Sequence, residues 1–327
     1  MPKKILLITT GGTIVSVPGK EGLTPAAMPD LARMAGNGLD CRIDAVEPFR
    51  LDSSNIQPEE WQTLAEVIHT RFAEYDGIVI THGTDTLSYT ACMLSYMLQG
   101  IPVPVVLTGS QLPLRHPLTD AHSNLQTALS MAMSGYGGVY VAFDRKVMRG
   151  TRTVKARTRS FNAFESINCP PVATADARGL VLAEAPDLKT EYKYNPGLCG
   201  EVLLLKLVPG TPPQALEALA GMGCKGLVIE AFGAGGIHVV RRNLASQLRS
   251  MVDKGISIVA VSQCLYEPSD FSLYEVGREA LLAGIIEGRD MTSEAAVTKL
   301  MWALANTNDA AEVRLVFDTC LAGEVSL

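Results

Sequence analysis

A chain of 327 residues is long enough for two domains, since a single core usually stops growing at roughly 250–300 residues. With 47% hydrophobic and 19% charged residues it has an ordinary globular balance, which excludes disordered and fibrous classes. The formal net charge of −6 excludes a global positive field that would draw nucleic acid or an anionic membrane, and leaves a small zwitterionic or cationic ligand open.

At the start, Lys3-Lys4 precedes an apolar run, Ile5-Leu6-Leu7-Ile8, that is too short for a signal-peptide core and ends in a threonine–glycine turn. No apolar stretch reaches the ~18 residues of a membrane span, so the protein is expected to stay in the cytoplasm. The first 145 residues alternate short β-branched runs with longer helical patterns, the signature of a parallel α/β sheet. Strands are predicted at Lys4–Thr9, Gly77–Ile80, Val103–Leu107 and Val139–Phe143, all nearly continuous apolar runs as in a sheet covered on both faces. One helix starts at Pro58-Glu59-Glu60, with proline in its first turn and acids at its positive end. Others are predicted over Thr86–Leu98 and Asp120–Met133.

A second α/β stretch follows, with strands at Val202–Leu207, Leu227–Ala231 and Ile256–Val261. Its helices are expected near Pro212–Leu219, Arg242–Val252, Thr292–Ala305 and Ala310–Phe317. Between the two lies an aperiodic segment with prolines and mixed charges. The fold expected is α/β: a larger N-terminal parallel-sheet domain over residues 1–185, a linker over 186–200, and a smaller C-terminal parallel-sheet domain over 201–327. The seven cysteines are odd in number, widely spaced and without a C-x-x-C, so neither a disulfide framework nor a zinc site is expected. The five histidines show no ligand spacing, and no metal is expected.

In open parallel sheets ligands bind beyond the carboxyl ends of the strands. Three loops there are conspicuous: Thr10-Gly11-Gly12-Thr13-Ile14, Thr81-His82-Gly83-Thr84-Asp85-Thr86 and Thr108-Gly109-Ser110-Gln111. Right-handed crossovers put all three on one sheet edge, and each sets glycine beside a hydroxyl, so backbone can approach a ligand closely. Any one of them could be a tight turn with a helix N-cap; three converging loops favour a site. A phosphate cradle is the weaker reading. Thr10-Gly11-Gly12-Thr13 lacks both G-x-G-x-x-G and G-x-x-x-x-G-K-[ST], and only Asp30 stands near where a ribose ligand is needed. Arg145 to Arg159 carries seven basic residues and no acid, a pattern that usually marks a solvated face or an anion patch. Lys155 lies in that run, and the pattern alone gives no reason to aim it at the loops.

With these motifs in place, the chain resembles the bacterial-type L-asparaginases, and among them the cytoplasmic type I group. The resemblance covers nearly the whole chain and rests on TGGTI at 10–14, HGTDT at 82–86, and Thr108-Gly109-Ser110-Gln111. Asp52-Ser53-Ser54, Arg149-Gly150-Thr151-Arg152 with Lys155, and Ser262-Gln263-Cys264 match as well. It implies hydrolysis of L-asparagine to L-aspartate and ammonia through a covalent β-aspartyl intermediate, with no cofactor. Thr13 matches the nucleophile; Thr84, Asp85 and Lys155 match the second threonine, acid and base. A threonine hydroxyl needs a neighbouring base to become a good nucleophile, and a partly desolvated amine can supply one. Asp85 would orient the group as the acid does in a serine–histidine–aspartate triad, and backbone amides of the glycine loops, Gly12 among them, would hold the oxyanion.

By the same resemblance Ser53, with its neighbour Ser54 and amides near Gly83 and Thr84, should hold the α-carboxylate. Asp85 and Asp52 should attract the α-ammonium, and Ser110 should lie near the side-chain amide. The resemblance also implies a homodimer or homotetramer and neither a nucleic-acid nor a membrane partner. Two positions depart from the family. Leu23 stands where a lid tyrosine is usual. Glu230 stands where some type I members carry an arginine of a regulatory asparagine site, and its opposite charge argues against that control. Three other readings remain open. One is a mixed glutaminase–asparaginase, since one methylene is worth only ~1–3 kcal/mol in a pocket. Another is a component of a tRNA-dependent amidotransferase, which the immediate first strand disfavours. The last is a non-catalytic amino-acid-binding protein, which the complete set of four catalytic residues disfavours.

Overall fold

The structure, a computed structural model, describes residues 2–19, 22–25, 31–36, 38–183 and 191–326. Two compact units divide the chain, Met1–Pro196 and Gly197–Leu327. In chain order the first unit begins with β1 (Lys3–Thr9), a hairpin of β2 (Ser16–Gly19) and β3 (Gly22–Pro25), α1 (Leu31–Ala35) and β4 (Cys41–Val46). Next come α2 (Pro58–Arg71), β5 (Gly77–Thr81), α3 (Leu87–Met97), β6 (Leu98–Gln99), β7 (Pro104–Thr108), α4 (Ala121–Ala132) and β8 (Gly138–Phe143). It ends with β9 (Lys146–Arg149), β10 (Thr153–Lys155), β11 (Phe164–Ser166), β12 (Ala173–Asp176), β13 (Gly179–Leu182) and β14 (Lys193–Tyr194).

The main sheet runs β13-β12-β9-β8-β7-β5-β1-β4. From β4 to β8 every pairing is parallel, so β1, β5 and β7 end side by side, with Thr9, Thr81 and Thr108 in one register row. The continuous apolar runs follow from burial on both faces. Ile5, Leu7, Val79 and Val106 pack into a core with Leu125, Ala128 and Leu129 of α4, while the intervening Leu6, Ile8, Ile80 and Leu107 are equally buried. The expectation of a parallel sheet needs one correction. β9, β12 and β13 add an antiparallel edge, because β8 turns straight back at Asp144-Arg145, both with positive φ, leaving no room for a crossover helix.

Of the segment expected as a linker, residues 186–190 lie outside the described residues. Lys193 and Tyr194 instead pair with Gln99 and Leu98 in the first unit. His69 of α2 stacks on Tyr194 with ring centroids 3.8 Å apart and bonds the Tyr192 hydroxyl at 2.9 Å.

The second unit holds β15 (Val202–Lys206), α5 (Pro213–Gly221), β16 (Gly226–Ala231), α6 (Leu244–Asp253) and β17 (Ser257–Ser262). It continues with α7 (Glu275–Leu282), β18 (Ile286–Glu287), α8 (Ser293–Asn306) and α9 (Ala310–Asp318). Its four strands are all parallel. A buried pair, Lys299 of α8 and Glu324, fastens its terminal segment: Lys299 also donates to the Thr319 carbonyl (2.7 Å), and Glu324 accepts from the Leu321 and Ala322 amides (2.9 and 2.7 Å). Among the described residues no helix is long and apolar enough to cross a membrane.

Candidate active site

The three glycine loops meet beyond the carboxyl ends of β1, β5 and β7. Glycine is what lets them meet. A β-carbon on Gly12 would stand 2.4 Å from the Gly83 nitrogen, one on Gly83 would stand 2.5 Å from Ser53 Oγ, and one on Gly109 2.4 Å from the His82 carbonyl oxygen. Gly11 and Gly12 also take φ of 104° and 75°, a region costly for other residues. Backbone bonds tie the loops together: Thr10 donates to the Thr81 carbonyl from both its amide (3.1 Å) and its hydroxyl (2.9 Å), and the His82 amide donates to the Thr108 carbonyl (2.8 Å). Thr13, half-buried, opens a short 3-10 turn whose next residues, Ile14 and Val15, anchor in the core. The first loop therefore leads into a hairpin rather than into a long helix.

Lys155 reaches the second loop. Its Nζ donates to Thr84 Oγ1 at 2.8 Å and to Asp85 Oδ1 at 2.5 Å. Long-range packing brings it there: Gly150, in the turn before β10, lies against Ala91 and Ser95 of α3, the helix that the second loop starts. The basic run is thus only partly a solvated face, since Arg152 is buried and Lys155 is half-buried, while Arg157 pairs with Glu165 at 2.5 Å.

A fourth loop was legible only through the resemblance. Asp52-Ser53-Ser54 forms a 3-10 turn capped by Asp52, whose Oδ1 accepts the Ser54 amide (2.9 Å). Buried Ser53 faces the second loop: its Oγ accepts the Asp85 amide (3.2 Å), and its carbonyl accepts the Thr86 hydroxyl (2.8 Å). Ser54 Oγ lies 3.4 Å from Asp85 Oδ2. Gly12, Asp52, Ser53, Ser54, Gly83, Thr84, Asp85 and Lys155 are therefore joined by direct contacts or neighbouring backbone. Ser110 is buried, and its hydroxyl donates to the Leu112 carbonyl at 2.5 Å.

Sequence reasoning missed the supports beneath these residues. Buried His82 has Nδ1 2.7 Å from the Gly83 carbonyl, which can only accept, so Nδ1 carries the proton. Its Nε2 then accepts the Thr90 hydroxyl (2.9 Å), which itself accepts from Trp61 Nε1–H (2.9 Å). Burial, partly opposed by the Gly83 bond, pulls the His82 pKa down to about 4, so the ring is neutral at physiological pH. Among the described residues no group of three or more His, Cys, Asp or Glu could hold a metal ion.

The family model for the asparaginase N-terminal region matches residues 4–187, and the model for the glutaminase/asparaginase C-terminal domain matches residues 201–317. The chain belongs to the asparaginase family. An L-asparaginase of Thermococcus kodakarensis is 43% identical over 99% of both chains, and L-asparaginase 1 of Escherichia coli K12 is 34% identical over 99% of this chain and 98% of its own. A solved structure of the thermostable L-asparaginase from Thermococcus kodakarensis superposes with a TM-score of 0.94 at 42% identity, covering 99% of each chain. The family reaches further: a component of the glutamyl-tRNA(Gln) amidotransferase of Methanobrevibacter smithii is 36% identical over 98% of this chain and 77% of its own.

Proposed function

We propose that this asparaginase-family chain hydrolyses L-asparagine to L-aspartate and ammonia. The observation that carries the reading is the Lys155 contact with both Thr84 and Asp85, at 2.8 and 2.5 Å. A threonine hydroxyl linked to an amine, which is in turn held by a carboxylate, is the arrangement an activated hydroxyl needs. In the proposed sequence the Thr13 hydroxyl attacks the side-chain amide carbon, its C–N bond breaks, and ammonia leaves with the proton taken from Thr13. Water then attacks the β-aspartyl ester and returns the proton to Thr13 as aspartate leaves. Lys155 takes up and returns the Thr84 proton, and Asp85 keeps Lys155 in place. The amides of the glycine loops hold the oxyanion, where one donor is worth roughly 10²–10³ in rate.

For the substrate's α-groups, Ser53 and Ser54 would meet the carboxylate, with Asp85 and Asp52 near the ammonium. The chain would act as a homodimer or dimer of dimers in the cytoplasm, without a cofactor. Resemblance to full-length asparaginases supports that reading.

The test is ammonia release from asparagine and glutamine side by side, with wild type and Thr13→Ala. Wild type should release it from asparagine with at least tenfold higher kcat/KM than from glutamine, about 1.4 kcal/mol of discrimination. Thr13→Ala should fold and lose nearly all hydrolysis; turnover within about tenfold of wild type would remove Thr13 from the nucleophile's role.

A further inference from the structure

Ser110 sits on the third loop, between two points of backbone that are held from the same place. On one side the Gly109 carbonyl accepts Asn124 Nδ2 at 3.0 Å. On the other, the Gln111 amide donates to both oxygens of Asp120 (3.1 and 3.0 Å), and the Leu112 amide donates to Asp120 Oδ1 (3.1 Å). The two side chains are themselves joined, Asn124 Nδ2 to Asp120 Oδ2 at 3.1 Å. Asn124 is buried and its Oδ1 also accepts the Asp144 amide (2.9 Å), which anchors the clamp on the loop after β8.

Asp120 stands at the N-cap position of α4, yet it gives its helix no side-chain cap. The Thr119 hydroxyl takes the Ala121 amide instead, at 3.1 Å. A residue type that would ordinarily stabilise the helix start by about 1 kcal/mol is turned back onto the loop. A carboxylate accepting several amides is a strong, directional fixture. The held loop also bears on the chemistry, because Gly109 packs against the His82 carbonyl and Thr84 Cγ2.

We infer that Asp120 and Asn124 are positioning residues that fix the Ser110 wall and thereby set the preference for the shorter side-chain amide over the longer. This rests on the proposed amidohydrolase reading, in which Ser110 lies near the substrate's side-chain amide. The pair touches neither substrate nor reacting atoms; it acts through the loop. Asp120→Asn keeps the shape but turns an amide N–H₂ towards either the loop amides or Asn124 Nδ2, donors facing donors.

The experiment measures kcat/KM for asparagine and for glutamine, with thermal melting, in wild type, Ser110→Ala and Asp120→Asn. Both variants should lower the asparagine-to-glutamine ratio by at least about threefold. A role in stability alone would lower the melting temperature and leave the ratio within twofold of wild type, and that result in Asp120→Asn overturns the clamp. If Ser110→Ala leaves the ratio unchanged, the assignment of Ser110 falls and the inference with it. A wild-type enzyme inactive on both amides would overturn the functional reading itself. If Asp120→Asn does not fold, amide hydrogen exchange in the wild-type protein decides: slow exchange at Gln111 and Leu112 supports the clamp, and exchange at the rate of an open loop overturns it.

Discussion

Lys155 and Lys299 each meet a carboxylate, in different units of the chain and in opposite surroundings. The Lys155 and Asp85 side chains are 18% and 57% exposed, and the lysine is shared with a threonine hydroxyl. Lys299 and Glu324 are both fully buried; their shorter further bonds are to backbone, while the Cys320 thiol lies 3.9 Å from Glu324 Oε2 and the Phe317 ring centroid 5.3 Å from Lys299 Nζ. Burial pulls the Lys299 pKa below its ordinary value, and the Glu324 charge opposes that shift. An ion pair open to water contributes little to stability, about 0–1 kcal/mol, whereas removing one member of a buried pair leaves a charge that nothing neutralises. A lysine–carboxylate pair thus stands half-open beside a hydroxyl at the candidate site and fully buried among backbone bonds in the terminal segment.

The sharpest test of this contrast removes each lysine. Lys155→Met should lower kcat by about 10²–10⁴-fold, the range for a positioned base, with the melting temperature nearly unchanged. Lys155→Arg separates a base from a fixed cation, because arginine keeps its charge and cannot be deprotonated. If Lys155 is the base, both variants lose activity together and lose the rising limb of kcat against pH. An arginine variant within about tenfold of wild type, with that limb intact, would make Lys155 an anchor and narrow the contrast to burial alone.

Lys299→Met should do the reverse, destabilising by about 3–5 kcal/mol in denaturant titration while leaving kcat per folded molecule unchanged. Adding Glu324→Gln removes the stranded charge but keeps an oxygen for only one of the Leu321 and Ala322 amides, which bond different oxygens of Glu324, so the net recovery should be smaller, about 1 kcal/mol of that loss. A double variant as unstable as the single one would mean that packing and the amide bonds at Glu324, more than the stranded charge, carry the Lys299 effect.

A smaller effect comes from His82. Its folded pKa of about 4 lies below the ordinary value near 6.5, so between those pH values the unfolded chain binds more protons. Folding stability should therefore fall as pH drops through that window, by about 3 kcal/mol in total. His82→Gln should flatten this part of the stability–pH curve in calorimetric scans; an unchanged slope would assign it to other groups.

Most of the sheet and the glycine loops of the candidate site were legible because their signals are local. Four continuous apolar runs marked the central strands, and glycine–hydroxyl loops marked their carboxyl ends. What escaped the sequence depends on long-range packing or on a residue with two uses. Lys155 gained its partners from Gly150 resting on α3, which no spacing reveals. Asp120 read as a helix start and serves as a loop fixture. Lys146–Arg149 was hidden as a strand by its basic ends, and Cys41–Val46 by its partial exposure at the sheet edge. Glu275–Leu282 was missed as a helix; Gly277 interrupts its pattern and packs on the Phe271 carbonyl.

The hydrogen-bond chain through His82 also equips the site with its own spectroscopic probe. An imidazole protonated at Nδ1 and accepting at Nε2 has two nitrogens in unlike electronic states, which nitrogen-15 resonance frequencies separate. One of them reads the Gly83 carbonyl, on the loop that carries Thr84, and the other reads Thr90 within α3. Isotope labelling of the five histidines would then follow the loop in solution with no reporter group added to the molecule.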